Sequence, residues 1–162
     1  MKALTLTQPW ALLVAIGAKR FETRSWNTAY RGPLAIHAAK SLDPVGGEGG
    51  LRELCWSEPF ASVLAPYDYE FLLRKTRGTI VAVGSLYDTF TSDDAAWLLR
   101  ESYSYRAQAG EHELAFGNYE PGRFAFQLTR LVPLDEPISC RGQLGLWDVP
   151  ADIAADLQAV RR

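Results

Sequence analysis

Three hydrophobic regimes follow one another along the chain, and each predicts a different element. Residues 3–6 read as a short strand. Leu12, Leu13 and Ile16 then recur at helical spacing. Pro9 suits the first turn of that helix, where its missing N–H has no partner, and Gly17 ends it. Over 20–26 the period falls to two, which places Glu22, Arg24 and Trp26 on one strand face and Phe21 and Thr23 on the other. Residues 33–39 form a further strand, with Leu34, Ile36 and Ala38 opposite Ala35 and His37. Residues 78–88 are a nearly continuous, β-branched apolar run, the pattern of a central strand buried on both faces. Residues 123–134 predict a long strand with Phe124, Phe126 and Leu128 on one face. Residues 141–147, with two glycines, suit a last strand that passes close to another backbone.

Helices fill the intervals. Residues 51–56 and 67–75, separated by Pro59 and Pro66, predict a helical insertion over about 43–77 that packs on the sheet. Its opening stretch, 43–50, holds four glycines and one proline and predicts a mobile loop. Thr91-Ser92-Asp93-Asp94 starts a helix with acids in its first turn, where the dipole favours them. Pro150 opens a terminal helix whose Ile153, Leu157 and Val160 form an apolar stripe. The expected class is α+β, in one domain spanning 1–162.

At 162 residues and 48% apolar content the chain can close one well-packed core. Two cysteines, Cys55 and Cys140, cannot make a disulfide framework, and no basic-then-apolar leader opens the chain, so a cytoplasmic location is expected. No apolar run approaches the roughly 20 residues of a membrane span, and no membrane partner is expected. A monomer is the default, with the oligomeric state left open. The formal net charge is −2, which argues against binding long nucleic acid by bulk electrostatics. Its distribution changes that picture. Residues 19–40 hold five basic residues against one acid, whereas 43–120 hold six against thirteen.

The basic stretch is also where the chemistry concentrates. Glu22, Arg24 and Trp26 share a face, and Lys19 sits at the turn before them, free to swing over that surface. A solvated strand face would look similar, with ion pairs worth about 0–1 kcal/mol. His37, near a strand end, suits a structural role. Asp93 and Asp94 have their helix-capping reason to exist, with service to Lys19 as the alternative. Glu111, His112 and Glu113 on a strand would point apart, and two His and two Cys at scattered positions give no convergent metal ligands. Neither a metal nor a cofactor is expected, and no phosphate-loop, dinucleotide or nucleophile-elbow motif occurs.

Gly17-x-Lys19-x-x-Glu22-x-Arg24 matches the G-x-K-x-x-E-x-R signature of the ASCH domain. The opening Leu4-Thr5-Leu6-Thr7-Gln8-Pro9-Trp10, the strand at 34–40, the turn at 116–123 and the closing 141–147 stretch join the match in the same order. The chain thus resembles this family over most of its length. The resemblance implies a PUA-like mixed β-barrel with flanking helices, and a cleft between the first helix and the barrel. Two functions follow from it. The first is a binding module for RNA or for a nucleotide or nucleoside ligand: Lys19, Arg24 and Arg31 would neutralise phosphates, Arg123 from the matching turn would join them, and Trp10 and Trp26 would stack on bases at about 1–3 kcal/mol each. The second is a metal-independent hydrolase. Some ASCH proteins deacylate N4-acetylcytidine with a Lys of this signature, a Thr three residues on and a Glu elsewhere; others are ribonucleases. Lys19 matches that Lys, but Glu22 stands where the Thr would be, so Lys19 and Glu22 are the catalytic candidates. A protein-interaction module is a third class, and it would show an exposed apolar patch around 51–75.

Overall fold

Alternating burial builds six strands: β1 (Lys2–Leu6), β2 (Phe21–Arg24), β3 (Gly32–Ala38), β4 (Thr79–Thr91), β5 (Phe124–Ser139) and β6 (Leu146–Asp148). The structure, a computed structural model, describes residues 1–160. The strands form one mixed sheet in the order β2-β5-β4-β3-β1-β6. β1 and β3 run parallel and the other neighbours antiparallel. β4 is central, and its first six residues are all buried, as its apolar run predicts.

The sheet curls into a partial barrel. β4 and β5 are long, and their register shifts at three places; such bulges add twist and bend. The curl returns the edge strand β2 to β1, on the far side of the strand order, where Arg24 Nη2 donates to the Thr5 carbonyl at 2.7 Å. Inside, Leu4, Leu6, Leu34, Ile36, Phe126 and Leu128 make one core. Helix α1 (Trp10–Ala15) closes it through Ala11, Val14 and Ala15. Outside, Ala3, Ala35, Val83 and Trp147 pack with Ala154 and Leu157 of the terminal helix. Neighbouring residues of one strand therefore serve opposite cores. The terminal helix itself (Ala151–Val160) turns a stripe of Ile153, Ala154 and Leu157 to the sheet. Val160, expected in that stripe, is exposed.

The opposite face of α1, Leu12 and Leu13, carries three further helices: α2 (Gly47–Trp56), α3 (Phe60–Leu64) and α4 (Tyr69–Lys75). Leu51, Cys55, Phe60, Leu64 and Leu73 make the contact, so the apolar packing of these helices is on α1, and Lys75 of α4 adds an ion pair to Glu136 of β5 at 3.3 Å. The stretch 43–50 is ordered, contrary to the sequence expectation. Asp43–Val45 is a 3-10 turn and α2 starts at Gly47. A Cβ at Gly50 would lie 1.9 Å from the Val45 carbonyl oxygen, so the glycine is needed for this close turn, and burial of Leu51 and Cys55 holds the helix that follows. Helix α5 (Ser92–Glu101) begins as predicted: Thr91 Oγ1 accepts the Asp94 N–H at 3.1 Å and donates to Asp94 Oδ2 at 2.7 Å. With α6 (Tyr103–Ala109) it covers Phe21 and Ala125. The terminal helix is α7. Among the described residues no helix is long and apolar enough to cross a membrane.

Candidate functional site

The site begins at the end of α1. Gly17 takes φ 76°, in the region that glycine enters at no steric cost. Its N–H bonds the Val14 carbonyl at 3.0 Å, and the Lys19 N–H bonds that of Leu13 at 3.1 Å. This reversal sends Lys19 inward. Its relative exposure is 0%, which corrects the picture of a surface lysine at a turn. Strand parity does not reach a turn residue, and the tertiary fold closes over it. Lys19 Nζ donates to the Phe21 carbonyl and lies 3.8 Å from Glu22 Oε2 and 3.7 Å from Glu113 Oε1.

Glu113 is the site residue that the sequence conceals. It opens a 3-10 turn, Glu113–Phe116, and not a strand, and it is 1% exposed. Its carboxylate accepts the Arg20 N–H at 2.7 Å and the Phe21 N–H at 3.1 Å. Asp93 and Asp94, the alternatives weighed for Lys19, are exposed on α5. Burial pushes the Glu113 carboxyl up, against the Lys19 ammonium and the two amide N–H groups, and the Glu22 charge pushes it further up. The fold thus keeps Glu113 protonated to a higher pH than the unfolded chain does. Its stabilising contribution is full below the ordinary Glu value of about 4.3 and is lost as pH rises through the higher folded value. Compared with Glu113→Gln, the wild-type protein will lose stability on going from about pH 4 to about pH 7. Urea denaturation of both proteins at the two pH values checks this, and a stability difference that stays constant or moves the other way contradicts it.

Beyond the buried Lys19, Glu22 reaches an opening. Its Oε1 lies 3.2 Å from Arg24 Nη2, so the charges run in sequence as Glu113, Lys19, Glu22 and Arg24. Two cavities of about 270 and 330 Å³ share Trp10, Glu22 and Thr23. The first is also lined by Arg24, Trp26 and Arg123, and the second by Phe116 and Asn118. Each lining group is fixed from behind. The Trp10 Nε1–H donates to the Phe116 carbonyl at 2.9 Å, and Trp26 meets Phe126 edge-on at 5.1 Å. Arg123 donates to the Asn118 carbonyl at 3.2 Å. Buried Gln8 holds the start of α1, accepting the Leu12 N–H at 3.0 Å and donating to Thr76 Oγ1 at 2.7 Å. Arg24 keeps a buried Nε–H with no hydrogen-bond partner among the described residues.

The fold therefore gathers Trp10, Glu22, Arg24, Trp26 and Arg123 around one opening, with Lys19 beneath it. Arg31 is not among them. Its guanidinium is spent on Asp88 and on Thr89 Oγ1, both at 2.8 Å, and on the Thr28 and Tyr30 carbonyls. His37 lies elsewhere, its Nε2 bonded to the Cys140 carbonyl at 2.9 Å, and burial lowers its pKa. The buried Cys55 thiol is pushed up to about 11, mainly by desolvation. Among the described residues no three His, Cys, Asp or Glu side chains are grouped to hold a metal ion.

The fold is similar to solved structures of an ASCH protein from Zymomonas mobilis. One aligns with a TM-score of 0.51 at 13% identity, covering 98% of this chain and 94% of that one. A Tyr-to-Phe variant of the same protein aligns at 0.53 and 14% identity, covering 98% and 96% of the two chains. At such identities the likeness speaks for the fold alone. No curated protein matches. The family model described as the ASCH domain matches residues 4–116, a span that holds Gly17, Lys19, Glu22 and Arg24 as well as Glu113. The chain belongs to the ASCH domain family.

Proposed function

We propose that this protein binds a single-stranded RNA segment or a nucleotide in the opening between α1 and the barrel. The observation that carries the reading is the combination at that opening: two indoles, from Trp10 and Trp26, beside the guanidinium groups of Arg24 and Arg123. Indole faces take unstacked bases, and arginines take phosphate oxygens. The opening is too small for a duplex, and the net charge of −2 agrees with a local contact over a long electrostatic track. The family resemblance, through the RNA-reading PUA fold, points the same way.

Hydrolysis of a modified nucleoside or of RNA is the second reading. The observation in its favour is Glu113, a buried carboxyl with its pKa raised, 3.7 Å from Lys19. One feature counts against the acetylcytidine mechanism: Glu22 replaces the hydroxyl residue. Of Lys19, Glu22 and Glu113, only Glu22 lines the opening, so any proton transfer to a substrate runs through it.

Glu22→Gln separates the two readings. For a binding module the amide keeps an acceptor, and affinity for a short RNA falls by a hydrogen bond's worth, about 0.5–1.5 kcal/mol. For a hydrolase, turnover falls about 100-fold or more with affinity little changed. Affinity and rate measured on the same RNA and acetylcytidine substrates decide, and wild-type binding without turnover of either substrate is the result expected here.

A further inference from the structure

A second cavity, of about 720 Å³, adjoins the opening across Thr5. This volume is in the range of ligand sites, roughly 300–1,000 Å³. Thr5 belongs to both. Its carbonyl accepts from Arg24 at 2.7 Å, and its hydroxyl donates to the Gln143 carbonyl at 3.0 Å. The cavity lies where the parallel strands β1 and β3 end, between the segment after β3 and the loop that leads into β6. Lys40 stands on one wall and Arg141 on the other, and among the described residues no carboxylate lines it. Among the described residues neither cation has a hydrogen-bond or ion-pair partner. What sets the pair apart is that both cations line one cavity, whereas Lys2, Arg31, Lys75 and Arg77 are paired with acids.

The wall that bears Arg141 is held in place on several sides. The Cys140 carbonyl accepts from His37 Nε2 at 2.9 Å, which makes Nε2 the protonated nitrogen. The Gln143 carbonyl is tied to Thr5. Gly142 between them presses on the His37 ring, where a Cβ would meet Cε1 at 2.4 Å. Two cations, one on each wall and neither ion-paired among the described residues, suit a phosphate group. Leu144, 98% exposed at the rim, adds an apolar platform for the attached base or sugar.

We propose that this cavity takes the phosphate of a neighbouring nucleotide whose strand continues from the opening past Thr5. The ligand class is then an oligonucleotide of at least two residues, not a free nucleoside. This rests on the binding function proposed above. The test compares a mixture of the four nucleoside monophosphates with a mixed-sequence six-nucleotide RNA, on the wild-type protein, on the Lys40→Ala/Arg141→Ala double variant and on Trp26→Ala. Lys40 and Arg141 are exposed, so the double variant keeps the wild-type melting curve. The wild type binds the six-nucleotide RNA at least about tenfold tighter than the monophosphates, and the double variant loses that advantage while holding the monophosphates unchanged. Its slope of log affinity against log salt drops by about 0.7, the value for one phosphate contact on a single strand. Unchanged RNA affinity and slope in the double variant, with weakened binding in Trp26→Ala, overturns the second site and leaves the first. No RNA binding by the wild type overturns both.

Discussion

Lys19→Ala will lower the unfolding free energy by about 3–5 kcal/mol, the cost of removing one partner from a buried ion pair. Its ammonium lies within 4 Å of two carboxylates, Glu22 and Glu113. Without it they face each other in a place where Glu113 is 1% exposed. The Phe21 carbonyl also loses its donor. The variant's deficit will shrink at acid pH, because protonation of Glu113 relieves the uncompensated charge. Adding Glu113→Gln to Lys19→Ala will recover much of the loss at neutral pH for the same reason. Urea denaturation of the two variants beside the wild type tests this. A loss below about 0.5 kcal/mol, the usual size for a surface position, would contradict the burial of Lys19 and its part in holding the site.

Trp26→Ala will weaken binding of a short single-stranded RNA by about 1–3 kcal/mol, or roughly five- to 150-fold. Trp26 lines the opening beside Arg24 and Arg123, so its loss removes a stacking face and leaves the cations in place. The indole also packs on Phe126, and some stability goes with it. Trp26→Phe separates the two effects, since it restores an aromatic face and most of the packing. Fluorescence titration of both variants gives the comparison: Ala weak and Phe near wild type is expected, whereas equal affinity in all three proteins removes Trp26 from the site.

The strands were legible because their information is local. Period-two alternation placed Phe21 and Thr23 on the buried side of β2 and Glu22 and Arg24 on the partly open side, and the apolar run of β4 announced its central place. The Thr91 cap was equally plain. What escaped depends on partners distant in sequence. Glu113 meets Arg20 across 93 positions, and nothing in the acid-rich stretch around it distinguishes one buried carboxylate from the exposed ones. Gln8 reaches Thr76 across 68. The glycine content of 43–50 concealed the start of α2, because the energy that holds it comes from Leu51 and Cys55 packing on another helix. Lys19 is legible as a position of the signature, but its direction is not. Only the closing of the fold over the turn makes it a buried counter-ion and passes the surface role to Glu22.

The chain's five tryptophans give the most direct test of where a ligand sits. Trp10 and Trp26 line the opening, Trp147 donates to Thr5 Oγ1 at 3.1 Å between the two cavities, and Trp56 and Trp97 are exposed on α2 and α5. Trp56, Tyr67 and Phe71 are each exposed within the 51–75 stretch, where a protein-interaction module would show apolar surface. Titration of the nitrogen-15-labelled protein with the mixed-sequence six-nucleotide RNA, followed through the five indole N–H signals, reports all these places at once. RNA binding in the cleft predicts shifts at Trp10 and Trp26, with Trp56 and Trp97 unmoved. Shifts confined to Trp56 or Trp97, or no shift at any indole, would contradict it.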